Sequence, residues 1–129
     1  MVKTKCLISC TDAYYGSGFY DETKKYIIYN KERYQNTIKN IFNKKGKDEF
    51  MKNGFPTIWS KEFVNTHNCS IASSVVIHNS VIEKIGYFSN ELWAPDYEYW
   101  KRAINHSDLV YLDDPLLYWD SAHGYGQDY

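Results

Sequence analysis

A chain of 129 residues can bury one modest hydrophobic core and is expected to form a single domain over 1–129. Its 15 Lys and Arg stand against 16 Asp and Glu, a formal net charge of −1, so it lacks the basic excess on which phosphate neutralisation and hence nucleic-acid binding depend. No stretch approaches the ~18 apolar residues of a membrane span, and the apolar run after Met1-Val2-Lys3-Thr4-Lys5 is too short for a secretory signal. No membrane span and a cytoplasmic location are therefore expected.

Taken in chain order, Lys5 to Cys10 reads as a first strand that ends at Thr11-Asp12. Cys6, Ile8 and Cys10 share one side of it, because strand side chains alternate. With Cys69 the cysteines number three, an odd count without the C-x2-C spacing of a zinc site, which points to buried structural thiols. Ala13 to Glu22, holding Gly16 and Gly18, reads as a turn region, and Tyr26-Ile27-Ile28-Tyr29 as a second short strand. Arg33 to Lys45 carries an apolar stripe at Tyr34, Ile38, Ile41 and Phe42 and is expected to be helical, with Gly46 as its stop. The charged stretch Lys44 to Lys52 suits water. Phe55-Pro56 breaks regular structure before a short helix near Lys61 to Val64.

The run Ile71-Ala72-Ser73-Ser74-Val75-Val76-Ile77-His78 reads as a strand buried on both faces. A helix opens at Ser80, where Ser80 and Glu83 have capping-box spacing, and Gly86 ends it. Pro95 disfavours helical backbone at Ala94, so the last helix is expected from Asp96 to His106, with Trp100, Ala103 and Ile104 on one face. Leu109 to Leu112 and Leu116 to Trp119 read as two closing strands, joined by a turn at Asp113-Asp114-Pro115. Short strands alternating with helices place the chain in the α/β class.

Few residues carry chemistry on their own. Asp96 falls in the first turn of its helix, where the dipole favours a carboxylate; this suits a helix-starting aspartate as well as a catalytic one. Thirteen tyrosines offer apolar bodies with polar tips, fit for sheet edges and for sugar-stacking platforms alike. Trp93 can stack on a sugar ring or staple the helix start. His67, His78 and His106 have no partner at metal spacing and read as structural, and Asp12-Ala13-Tyr14 lacks a second acid.

The Ile71–His78 run, the Gly86-Tyr87-Phe88 turn and Pro95-Asp96-Tyr97-Glu98-Tyr99-Trp100-Lys101-Arg102 follow one another in an order that resembles the acceptor-side half of family-2 glycosyltransferases of the GT-A fold. In that family a small-residue strand, a GxF turn and an EDYELWLR-like helix start come in the same sequence. The resemblance covers residues 69–123 closely and 5–125 loosely. It implies a partial GT-A-like α/β fold, half of a nucleotide-diphospho-sugar transferase, with a mixed sheet and flanking helices. It further implies hexosyl transfer from a nucleotide-sugar donor to a carbohydrate acceptor hydroxyl. Asp96 aligns with the second acid of the family's ED pair, the general base of inverting members; Pro95 replaces the first and removes a neighbour that orients acceptor or base. Trp93, Tyr97, Trp100 and Arg102 fall to substrate binding, and His123 to the metal or the diphosphate.

The family's DxD is absent, since Asp113-Asp114 follows the aligned base instead of preceding it. A divalent metal, Mn or Mg, is thus expected only in a complete enzyme and not held tightly by this chain alone. The chain reads as a second half: a fragment, a split-gene product or a degenerate relative. Its Ile71–Ile77 strand is expected to leave an open edge, covered by a second copy in a homodimer, by a complementing N-terminal half, or by the Tyr26–Tyr29 strand. Two other classes stand beside this reading: a non-catalytic carbohydrate- or protein-binding module, and a structural remnant.

Overall fold

A parallel pair of strands organises the sheet. β1 (Ile8–Gly16) lies beside β5 (Leu109–Asp120), with Ile8 opposite Leu109 and Cys10 opposite Tyr111. The computed structural model describes residues 5–90 and 94–122. β2 (Ile27–Ile28) and β3 (Ile58–Trp59) flank the pair in the order β2-β1-β5-β3, and β4 (Val76–Ile77) also joins β1. β2, β3 and β4 run antiparallel to their neighbours, so the sheet is mixed and the α/β class is as expected.

Side-chain alternation puts Ile8, Cys10 and Asp12 on the face that also carries Leu109 and Tyr111. Four helices contribute to the core against that face: α1 (Gln35–Lys44), α2 (Lys61–Thr66), α3 (Asn79–Ile85) and α4 (Pro95–Ala103). Ile38 and Phe42 from α1, Phe63 from α2, Val81 from α3 and Trp100 and Ala103 from α4 share one buried cluster with the strands. Its aromatic centre is close-packed: Trp59 stacks on Tyr111 at 5.0 Å, and Phe63 lies 4.8 Å from Trp59 and 4.9 Å from Phe42. No helix among the described residues is long and apolar enough to cross a membrane.

Several boundaries differ from the sequence reading. β1 does not stop at Thr11-Asp12 but runs on to Gly16, through the first four residues of the expected turn region. A charged residue fits in mid-strand because Asp12 has its partners inside the fold, as described below. The two closing strands are one, and Asp113-Asp114-Pro115 is not a turn: a register shift between Thr11 and Asp12 lets β5 pass Pro115 while staying paired to β1. Pro115, which lacks an N–H, sits at this irregularity, where a lost ladder bond does least harm.

The expected buried strand over Ile71–His78 is the largest correction. Ala72–Ser74 forms a 3-10 turn, only Val76–Ile77 is strand, and Val76 is 61% exposed. Serine hydroxyls draw the backbone away from the ladder. Ser74 Oγ donates to the Ile71 carbonyl at 2.7 Å and accepts from the Thr11 amide at 3.1 Å. β2 and β4 occupy opposite ends of the same edge of β1, so the Tyr26–Tyr29 segment covers β1 and not the edge of β4.

The helices hold up better. α1 starts two residues late because a π-helical turn, Tyr29–Tyr34, precedes it, and Gly46 follows its end at φ +69°. α2 and α4 lie where expected, α4 starting on Pro95 and ending at Ala103, short of His106. The Ser80 capping box does not form. His78 caps α3 instead, its Nδ1 accepting from the Ser80 amide at 3.2 Å.

Gly16, at the end of β1, is enclosed. A Cβ there would lie 2.7 Å from the Tyr26 ring and 2.8 Å from the Tyr118 hydroxyl. Gly16→Ala is expected to lower stability by about 1–3 kcal/mol, read as a fall in the thermal midpoint. An unchanged midpoint would show that the rings move aside without cost.

Candidate functional site

The Pro95-led start of α4 presents Asp96 to a cleft of about 800 Å³. The loop from His67 to Ser73 forms one wall, and the π-helical turn with the end of β5 forms the other. This volume suits a small ligand. Asp96 is partly buried, and among the described residues none hydrogen-bonds or pairs with its carboxylate. A carboxylate with open lone pairs in a cleft is free to accept a proton.

The second wall is aromatic. Tyr29 lies 4.6 Å from Tyr34 and 4.3 Å from Trp119, all three lining the cleft. Tyr15 backs Trp119 edge-on at 5.6 Å and carries the Arg33 guanidinium at 4.6 Å on its own ring. Burial, followed by the neighbouring Tyr34, raises the pKa of Tyr29, so it stays a neutral phenol. Asp120, at the cleft's end, accepts from the Gly18 and Ala122 amides at 2.8 Å each.

One buried carboxylate holds these walls together, and the sequence reading passed over it. Asp12 is fully buried and accepts four hydrogen bonds: Ala13 N at 2.9 Å, Asn30 N at 2.8 Å, Lys31 N at 3.0 Å and the Tyr111 hydroxyl at 2.8 Å. Asn30 and Lys31 lie in the first turn of the π-helical segment, so Asp12 caps from across the fold a helix start whose own Ile28 gives no side-chain cap. Asn30 then donates through Nδ2 to the Cys69 carbonyl at 3.1 Å, which ties the strand to the cleft loop. Burial first, and then the Asp12 charge, push the Tyr111 phenol up and keep it a donor. The signal was present in the sequence, since Asp12 follows Ile8 and Cys10 at strand period on what becomes the core face.

Cys10 and Cys69 are buried free thiols, as expected, and Cys6 is partly exposed. Burial raises both core thiols, Cys69 to about 12, so neither is a nucleophile at neutral pH. In the cleft loop, the Asn68 Oδ1 atom is buried without a hydrogen-bond partner among the described residues. Such an acceptor is costly unless a ligand or water supplies a donor.

Asp96 is thus brought to the cleft, while Tyr97, Trp100 and Arg102 are engaged elsewhere. Tyr97 donates to the Val64 carbonyl at 2.7 Å, and Trp100 is buried in the core, its Nε1 without a partner among the described residues. Arg102 pairs with Glu98 through Nε at 2.6 Å and reaches the Ile85 and Tyr87 carbonyls at 2.5 and 2.9 Å. Tyr99 donates to the Gly86 carbonyl at 2.7 Å, and Phe88 stacks on Tyr99 at 4.2 Å. The Gly86-Tyr87-Phe88 turn and the start of α4 therefore belong together physically, because α4 satisfies carbonyls at the end of α3. Trp93 and His123 lie outside the described residues. Among the described residues no three His, Cys, Asp or Glu side chains converge as a metal shell requires.

Burial and the nearby Lys45 lower the pKa of His67, which also lines the cleft. A depressed folded-state pKa adds stability above the ordinary histidine value of ~6.5 and loses it as pH falls through the folded value. His67→Gln is therefore expected to lose less thermal stability than the wild type on acidification below ~6.5. Parallel midpoint curves for the two proteins would refute this. Compared with family models, with curated proteins and with solved structures, the chain matches none.

Proposed function

We propose that the chain is the acceptor-side half of a family-2-like glycosyltransferase of the GT-A fold, with Asp96 as general base. The observation that carries the reading is an unpaired carboxylate at a helix start, facing a cleft with an aromatic wall. In the reaction, the acceptor hydroxyl gives its proton to Asp96 while its oxygen attacks the anomeric carbon of the donor in line. The glycosidic C–O bond forms as the bond to the diphosphate oxygen breaks, and the electron pair leaves with the nucleoside diphosphate. This chain's part is to orient the acceptor, take the proton and hold the cleft in shape through Asp12. A complementing half would hold the nucleotide.

The test is acceptor-dependent release of nucleoside diphosphate from a panel of nucleotide sugars, measured with the chain in its natural reading-frame context. Release that requires both acceptor and Asp96 supports the reading, and none across the panel overturns it. The aromatic wall also suits a second reading, a carbohydrate-binding module without turnover. Saccharide binding with no release would favour that one.

A further inference from the structure

The cleft's charges are one-sided. Among the described residues no lysine or arginine lines it, and its formal charges are the carboxylates of Asp96 and Asp120. His67 does not offset them near neutral pH, since burial favours its uncharged form. The rings of Tyr29, Tyr34 and Trp119 line the same cleft, and Asp96 enters it from the start of α4. From this combination we infer that the cleft takes an uncharged saccharide, stacked on the Tyr34–Trp119 wall with a hydroxyl donated to Asp96, and turns away anionic sugars and phosphates.

The physical grounds are complementary. A pyranose ring pairs an apolar C–H face with a rim of hydroxyl donors, which matches an apolar aromatic surface beside the unfilled carboxylate of Asp96. A phosphate or uronate at the same place would set like charges within a few ångströms in a partly desolvated space. The nucleoside diphosphate of any donor must then be bound outside this cleft. In taking the saccharide to be the acceptor, the inference rests on the reading of Asp96 as base; the charge selectivity rests only on the lining residues.

The experiment is an NMR titration of the full chain at low ionic strength with methyl glucoside, methyl galactoside and methyl mannoside, against methyl glucuronide and glucose 6-phosphate. At least one neutral glycoside should bind in the roughly millimolar range of an open monosaccharide site, shifting the Trp119 indole signal. The anionic sugars should bind about tenfold more weakly, a gap that narrows with salt. Tyr34→Ala should abolish neutral binding. Should that variant not fold, the Trp119 shift in the wild type still decides. Asp96→Asn should narrow the gap by strengthening the binding of the anionic sugars, an outcome that stands even where transfer is never seen. Equal binding of neutral and anionic sugars, no binding of either, or shifts that bypass Trp119 would overturn the inference and leave the role of Asp96 as base to the transfer assay.

Discussion

Asp12→Ala is expected to cost about 3–5 kcal/mol of stability, because several buried donors lose their acceptor at about 1–3 kcal/mol each where water does not replace it. The loss is larger than that of one hydrogen bond, because the substitution strands three backbone amides and a tyrosine hydroxyl that now converge on one carboxylate. A domain of this size commonly holds about 5–15 kcal/mol in all, so the variant should be marginal at 37 °C. Asp12→Asn keeps the shape but turns an amide towards donors, and should fall between the wild type and Asp12→Ala. Chemical denaturation decides, and a loss below about 1 kcal/mol for Asp12→Ala would mean that water replaces the carboxylate and that the network is incidental. Because Asn30 links Asp12 to the Cys69 carbonyl, the same variant should disturb signals of the cleft loop before it unfolds.

This residue also shows where sequence reading loses its grip. α1, α3 and α4 were legible because helical period, Gly46, Gly86 and Pro95 act within a turn or two of chain. Asp12 was not, because its meaning lies in Asn30, Lys31 and Tyr111, the last of them on the neighbouring strand β5 but 99 residues away along the chain. Ile71–His78 looked like a strand by composition, but Ser74 binds back to Ile71 and across to Thr11, a competition no window of the sequence reveals. The pairing of Leu109–Leu112 and Leu116–Trp119 as one strand depended on β1 as template, with its register shift beside Pro115. At the cleft, the place of Asp96 in the first turn of α4 was legible from the local Pro-Asp pair. Tyr34, Asn68 and Trp119, which complete the cleft, come from three separate parts of the chain and meet only through the fold.

Asp96→Asn should lower turnover by about 10²–10⁴-fold, the range for removing a positioned general base, while the fold stays intact. The structure makes these two expectations separable. Among the described residues the Asp96 carboxylate has no hydrogen-bond or ion-pair partner whose loss would be felt in stability. The loss of its charge from the first turn of α4 is worth only about 0.3–1 kcal/mol. Asparagine keeps the size and the hydrogen-bond acceptor, so acceptor binding and KM should change little and kcat should carry the effect. A thermal midpoint within a few degrees of wild type with collapsed kcat would identify a catalytic group. Near-normal kcat in the folded variant would instead leave Asp96 a helix-starting aspartate at the edge of a binding cleft, and the aromatic wall of Tyr34 and Trp119 as the functional feature of the protein.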